Sequence, residues 1–552
     1  MRIKAISIII IMMGFKMLSF AQMDMKAMDM KKDTVHNSQK KKVIKKMTPT
    51  KSLSSKKDTI KALNDPITNI NKGRDTTKMS NDMKGMDMKN MNMDTANKTV
   101  AKDTMKMNGH DMKNMNPDTT KPGHHDMSDM NMDMDMSLKG SSGDSINMNM
   151  MSDAFSLNLP MERHGSGTGW LPDASPMNGY MFHSAKWMYM LHGNLFLRYN
   201  NQDFSNKGSR GGDKLDGPSW LMFMGQRKVG EKNLFHFSTM FSLDPLLVGA
   251  SGYPLLFQSG EAYKGKALVD RQHPHDLFSE LSVSYSHAFT KNTDAFIYLG
   301  YPGEPALGPV AFMHRPSALY NPDAPLSHHW SDATHITFGV ATLGVRFGDV
   351  KLDGSLFTGR EPNDKRYDFD KPKFDSYSGR LSYNPSKSWA LQVSHGFIKS
   401  PEELHPDEDV NRTTASAIYS LPLKNEGWIN VSSVYGLNKI KGHNSENSFL
   451  LEASWKMKSL ALYSKYEYVE KSVEELSLDG NVYGSDALFP VNAFTLGLNY
   501  DVLHFGKTNL SAGTQFSYYH ADKKLNSLYG KNPMAFEIYL RIYPALMKMG
   551  GM

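Results

Sequence analysis

The chain of 552 residues contains no cysteine, which excludes a disulfide framework, a thiolate metal site and a lipid-modified N-terminal cysteine. Any soft metal donor must therefore be a methionine, and there are 41 of them. A long apolar run is also missing, since nothing approaches the about 20 residues that a membrane-crossing helix needs. The nearest approach is the N-terminus, where Arg2 and Lys4 precede the apolar stretch Ile6 to Phe15 and Ser19-Phe20-Ala21 forms a small-x-small cleavage site. Residues 1–21 are thus expected to be a secretory signal peptide. A formal charge of +7, partly in lysine runs such as Lys40 to Lys46, is too modest to argue for a nucleic-acid partner.

Aromatics are the third absence: from Met23 to Ala154 there is no Phe, Trp or Tyr. Such a stretch cannot bury enough apolar surface to offset its chain entropy, so residues 22–154 are expected to form a disordered tail. Methionine is what it repeats. Met83, Met86, Met88, Met91 and Met93 are followed by Met105, Met107, Met112 and Met115, then by Met127, Met130, Met132, Met134 and Met136, with His110, His124 and His125 interleaved. Thioethers are neutral, soft and insensitive to pH, so Met-x-Met and Met-x-x-Met spacings suit Cu(I) or Ag(I) rather than Zn(II), Mg(II) or Ca(II). A plainer reading is that methionine is a low-complexity filler or a sink for oxidants.

After Ala154 the aromatics return and the text alternates with period two. Phe494, Leu496, Leu498 and Tyr500 oppose Thr495, Gly497 and Asn499, and Phe536, Ile538, Leu540 and Ile542 oppose Glu537, Tyr539 and Arg541. Sixteen such segments fit residues 187–552, with connections long after each odd strand and short after each even one. That rhythm predicts an all-β fold, an antiparallel outer-membrane β-barrel of about 16 strands with its tail in the periplasm. Trp187, Tyr199, Trp220, Trp389, Trp428 and Trp455, near strand ends, are expected to form the interfacial girdle. Residues 155–186 read as a linker or plug. The third strand is placed at 233–247 and the sixth at 334–348. The tail past Tyr543 leaves the closing strand open.

Parity also assigns faces. With Trp187, Tyr189 and Leu191 toward lipid, Met188, Met190 and His192 point inward, as do Met222 and Met224 on the second strand and His236 and Met240 on the third. These seven side chains read either as a lumenal metal track or as packing for a plug. A second group lies in the long loops: His273 and His275, His314, then His328, His329 and His335. Imidazoles so spaced suit Cu(II) or Zn(II), or else join Asp270, Arg271 and Arg315 in an ion-paired network that folds the loops into the barrel mouth. Enzymatic activity is not expected. No Gly-rich phosphate loop is present, and Ser394 and His395, adjacent on a strand, point to opposite faces.

The order of signal, tail with Met-Asp-Met and His-Asp-Met repeats, and barrel resembles copper resistance protein B. Within the body, Gly165 to Asp173, Asp270 to Asp276, Gly303 to Pro309 and Pro325 to His335 are similar to a largely uncharacterised outer-membrane family associated with heavy-metal resistance. The resemblance implies an outer-membrane protein that binds or passes copper, as Cu(I), Cu(II) or in its place Ag(I). Its partners would be outer-membrane lipid, metal ions and periplasmic copper proteins. The competing expectation is a general porin or solute channel whose methionine-rich tail is incidental.

Overall fold

Alternating apolar and polar side chains become strands because a pleated chain presents successive residues to opposite faces. In the computed structural model, which describes residues 151–205 and 208–547 and the short pair Leu138–Lys139 and Ser145–Ile146, sixteen of them span the wall. They are β1 (Met188–Gln202), β2 (Trp220–Val229), β3 (Asn233–Ser242), β4 (Phe278–Thr290), β5 (Thr293–Gly300), β6 (Val340–Phe347), β7 (Val350–Phe357) and β8 (Ser376–Ser386). The second half comprises β9 (Trp389–Ile398), β10 (Val410–Leu423), β11 (Gly427–Ile440), β12 (Glu446–Met457), β13 (Leu460–Ser472), β14 (Leu488–Phe505), β15 (Thr508–Ala521) and β16 (Met534–Pro544). Every neighbour is antiparallel, and β16 closes on β1 from Ala535 against Gln202 to Ile542 against Leu195. The chain beyond the closing strand turns back on the inner segment, where Asn178 donates to the Pro544 carbonyl and the Met547 amide to that of Met177.

The two faces differ as the parity requires. On β16, Phe536, Ile538, Leu540 and Ile542 are exposed, whereas Glu537, Tyr539, Arg541 and Tyr543 are buried inside. The interior holds Arg198, Lys351, Arg380 and Arg541, each paired or hydrogen-bonded there. A closed ladder leaves no strand edge unpaired, and only its apolar outer face can meet hydrocarbon.

The lumen is occupied. The segment from Ser152 to Met177 runs along the inner wall: Ser156 donates to Asp294 on β5, Thr168 to Asp353 on β7, Asn384 on β8 to the Leu171 carbonyl, and Trp428 on β11 to the Ala174 carbonyl. Loop 301–339 crosses to the other side, bonding Ser394 on β9, Glu452 on β12, Gln515 on β15 and Tyr539 on β16.

Four expectations need correction. β3 stops at Ser242 because Asp244–Leu247, with Pro245, turns into a helical loop that a strand cannot continue. β6 starts only at Val340, since Ala333–His335 is a 3-10 turn and Gly339 has φ +106°. Trp220 and Trp428 leave the girdle and face inward, Trp220 against His192 and His314 and Trp428 onto the inner segment, because both sit on the lumenal parity. The ordered inner segment also begins at Ser152, ahead of residue 155, as Ser152–Asp153 pairs with Ser156–Pro160.

Candidate metal centres

The first three strands bring the predicted inward side chains into register. Met190 lies opposite Met224 and His192 opposite Met222 across β1 and β2, and Met222 lies opposite Met240 across β2 and β3. Met188, Met190, Met222, Met224, His236 and Met240 are all buried and His192 is half-buried. The methionines do not face an empty channel. Met161 and Met177 from the inner segment, Met181 from the short strand Tyr180–His183 that pairs with β1, Met313 from loop 301–339 and Met547 from the C-terminal return pack against them in two adjoining clusters.

Imidazoles border the same space. The His164 and His236 rings are 5.7 Å apart, His192 and His314 are 5.8 Å apart, and His314 lies 4.7 Å from Trp220. A cavity of about 90 Å³ is lined by Met161, Met177, Met190, Met224 and Met313 together with His164, His192, His236 and His314. His164 Nδ1 and His192 Nε2 are buried there without a hydrogen-bond partner. Burial holds His314 down at about 3 and His164 well below the usual imidazole range, so both stay neutral with a lone pair free for a metal.

His314 is thereby separated from its expected loop companions. The other five converge elsewhere in the lumen, with His273, His328 and His329 bringing ligand atoms within 4.8 Å of one another and His275, His328 and His335 doing the same. Burial holds His273 and His329 down at about 3. The ion-paired network weighed from the sequence is there as well: Arg315 bridges Asp332 and Glu452, and Asp270 bonds Arg210 and Tyr529. Beside this group a cavity of about 80 Å³ is lined by Glu261, Glu361, Glu402, Glu408 and Glu475 as well as His329 and Arg412. Burial, then the Glu261 charge, pushes Glu361 up to about 8.

All tail donors, from Met83 to Met136 with His110, His124 and His125, lie outside the described residues, as does the signal segment. Missed from the sequence were His164, Met161, Met177, Met181, Met313 and Met547. Met181 lies on a strand of only four residues, too short to show a period, and the others sit in segments without period-two alternation, so parity assigned them no face. Ser394 is buried inside and His395 exposed outside, as adjacent strand residues must be.

A closed antiparallel barrel with an apolar outer surface and a buried polar interior defines an outer-membrane-type transmembrane β-barrel, whose outer side chains meet lipid. No protein-family model matches the chain and no curated protein matches it. Among solved structures it is similar to Salmonella typhi OmpF in complex with daunomycin, at 9% identity over 66% of this chain and 100% of that one, TM-score 0.43. It is also similar to an anion-selective porin from Comamonas acidovorans, at 13% identity over 65% of this chain and 99% of that one, TM-score 0.40. The class assignment rests on the closed ladder and its two faces.

Proposed function

We propose that this barrel binds and passes copper, or silver in its place, across the outer membrane, and that its methionine-rich tail gathers Cu(I) on the periplasmic side. The observation that carries the reading is the cavity between the β1–β3 wall and the inner segment, where five thioethers and four imidazoles line one space. Soft, neutral donors select a soft monovalent ion. Many weak sites on the tail would raise the local ligand concentration without a rigid pocket. A general porin needs an open lumen, whereas here the inner segment and loop 301–339 bond to opposite walls.

The test compares Ag(I) titration of the full mature chain with two variants. One carries leucine at the tail methionines, and the other adds leucine at Met188, Met190, Met222, Met224 and Met240. Each Met→Leu exchange costs under about 1.5 kcal/mol, so the barrel is expected to fold and keep its compact mobility on unheated gels. The tail variant should lose several equivalents of Ag(I) and retain the wall site, and the combined variant, which keeps Met161, Met177, Met313 and the four imidazoles, should also bind at the wall more weakly. Copper tolerance should fall in step while zinc tolerance holds. A folded combined variant with unchanged Ag(I) uptake and copper tolerance would reduce the wall methionines to packing.

A further inference from the structure

We propose that His273, His275, His328, His329 and His335 form a nitrogen-only centre for one divalent ion of borderline softness, Cu(II) or Zn(II), distinct from the thioether cavity. The five rings share an arrangement that packing does not require. His273 Nδ1 meets Glu261 at 2.9 Å, His275 Nδ1 meets Asp244 at 2.9 Å, and His328 Nδ1 meets Asp332 Oδ1 at 2.7 Å. His335 Nδ1 meets the Asp332 carbonyl at 2.7 Å, and His329 Nδ1 faces Glu361 at 3.5 Å. An acceptor on Nδ1 holds the proton there and leaves the lone pair on Nε2, as in the carboxylate-oriented ligands of metal sites. All five Nε2 atoms are buried and none has a partner.

Five orphaned acceptors turned into one region are an unusual concentration, because buried polar atoms are normally satisfied. A cation held in either triad satisfies three of them. The two triads share His328, and a neutral imidazole has a single lone pair to give through Nε2, so one ion at a time is the consistent occupancy. Both triads are built of imidazoles. The Phe312 ring, 5.5 Å from His328, packs on the other side into the methionine cluster. Nitrogen donors without thioethers favour Cu(II) or Zn(II) over Cu(I). The glutamate-lined cavity that reaches His329 supplies a cation path to the centre.

The centre stands apart from the copper-passage reading, and because the thioether cavity also carries four imidazoles, H328Q, at a residue absent from that cavity, keeps the two separable. The full mature chain in detergent is titrated with Co(II), then with Zn(II). One equivalent of Co(II) with the visible bands of a low-coordinate nitrogen site, displaced by Zn(II), is expected. H328Q should weaken that uptake at least 100-fold, whereas exchanging His110, His124 and His125 for glutamine should leave it intact. Zinc X-ray absorption on the unaltered chain provides the arm that does not depend on a variant folding. Multiple-scattering features of several imidazoles support the centre, and an oxygen-only shell overturns it. A wild-type chain that takes up neither ion at micromolar concentration overturns it too, as does a folded H328Q that binds like the parent.

Discussion

One guanidinium links the wall to the histidine loop. Arg315 is fully buried, donating from Nε to Glu452 on β12 at 2.6 Å and from Nη1 to Asp332 at 2.8 Å, while Asp332 in turn holds His328. Removing a single partner from such a network strands charge in a low-dielectric interior and costs about 3–5 kcal/mol. R315M should therefore lower the temperature at which the compact form is lost on gels. R315K should recover only part, since one ammonium cannot reproduce the fork that reaches both carboxylates. Parity made Met188, Met190, Met222, Met224 and Met240 legible as lumenal because a strand's period is two. Arg315 was legible as a member of an ion-paired loop network, but its partners were not, since they lie 17 and 137 positions away.

Among the elements, β11 shows how a strand makes room for a loop. A Cβ at Gly436 would stand 2.4 Å from the Trp330 carbonyl oxygen and 2.8 Å from the Trp330 side chain, so glycine is what lets the helical turn His328–Ser331 lie against the wall. G436V should displace that turn and expose loop 301–339 to protease in otherwise folded barrels. G354A on the outer face of β7, where the nearest atom lies at 3.4 Å, is the control and should stay resistant. Equal resistance of both variants would show that the loop docks without this contact. The strands themselves were readable to within a few residues except where a loop borrowed apolar residues. Leu246 and Leu247 extended the pattern of β3 although Pro245 turns the chain, and the stretch before Val340 extended β6 although its side chains serve the lumen.

For the whole molecule, alternation of long and short connections sets an orientation that can be checked. Long connections of such barrels face outward and short turns face the periplasm. Cysteine at exposed Lys266 or Val482 should react with an impermeant reagent on intact cells, whereas cysteine at Gly230 or Gly506 in the short turns should not. Cysteine in loop 301–339, for instance at Ser317, should stay protected on both sides because that loop is buried in the lumen. Labelling at Gly230 and Gly506 alone would invert the barrel and place the tail outside.

Local pattern was enough to specify the barrel, its strand number, its two faces and the lumenal position of the wall methionines, because each follows from a two-residue period and from turn spacing along the chain. Which donors share a cavity was decided only by the tertiary structure. His314 joined the thioether group while its loop neighbours His328, His329 and His335 met His273 and His275, and His164 entered from the inner segment. Those groupings depend on how irregular segments of 26 to 39 residues fold back into a closed wall, guided by buried ion pairs between distant positions. Loop contacts of that kind have no period, and so leave no signature in the order of residues.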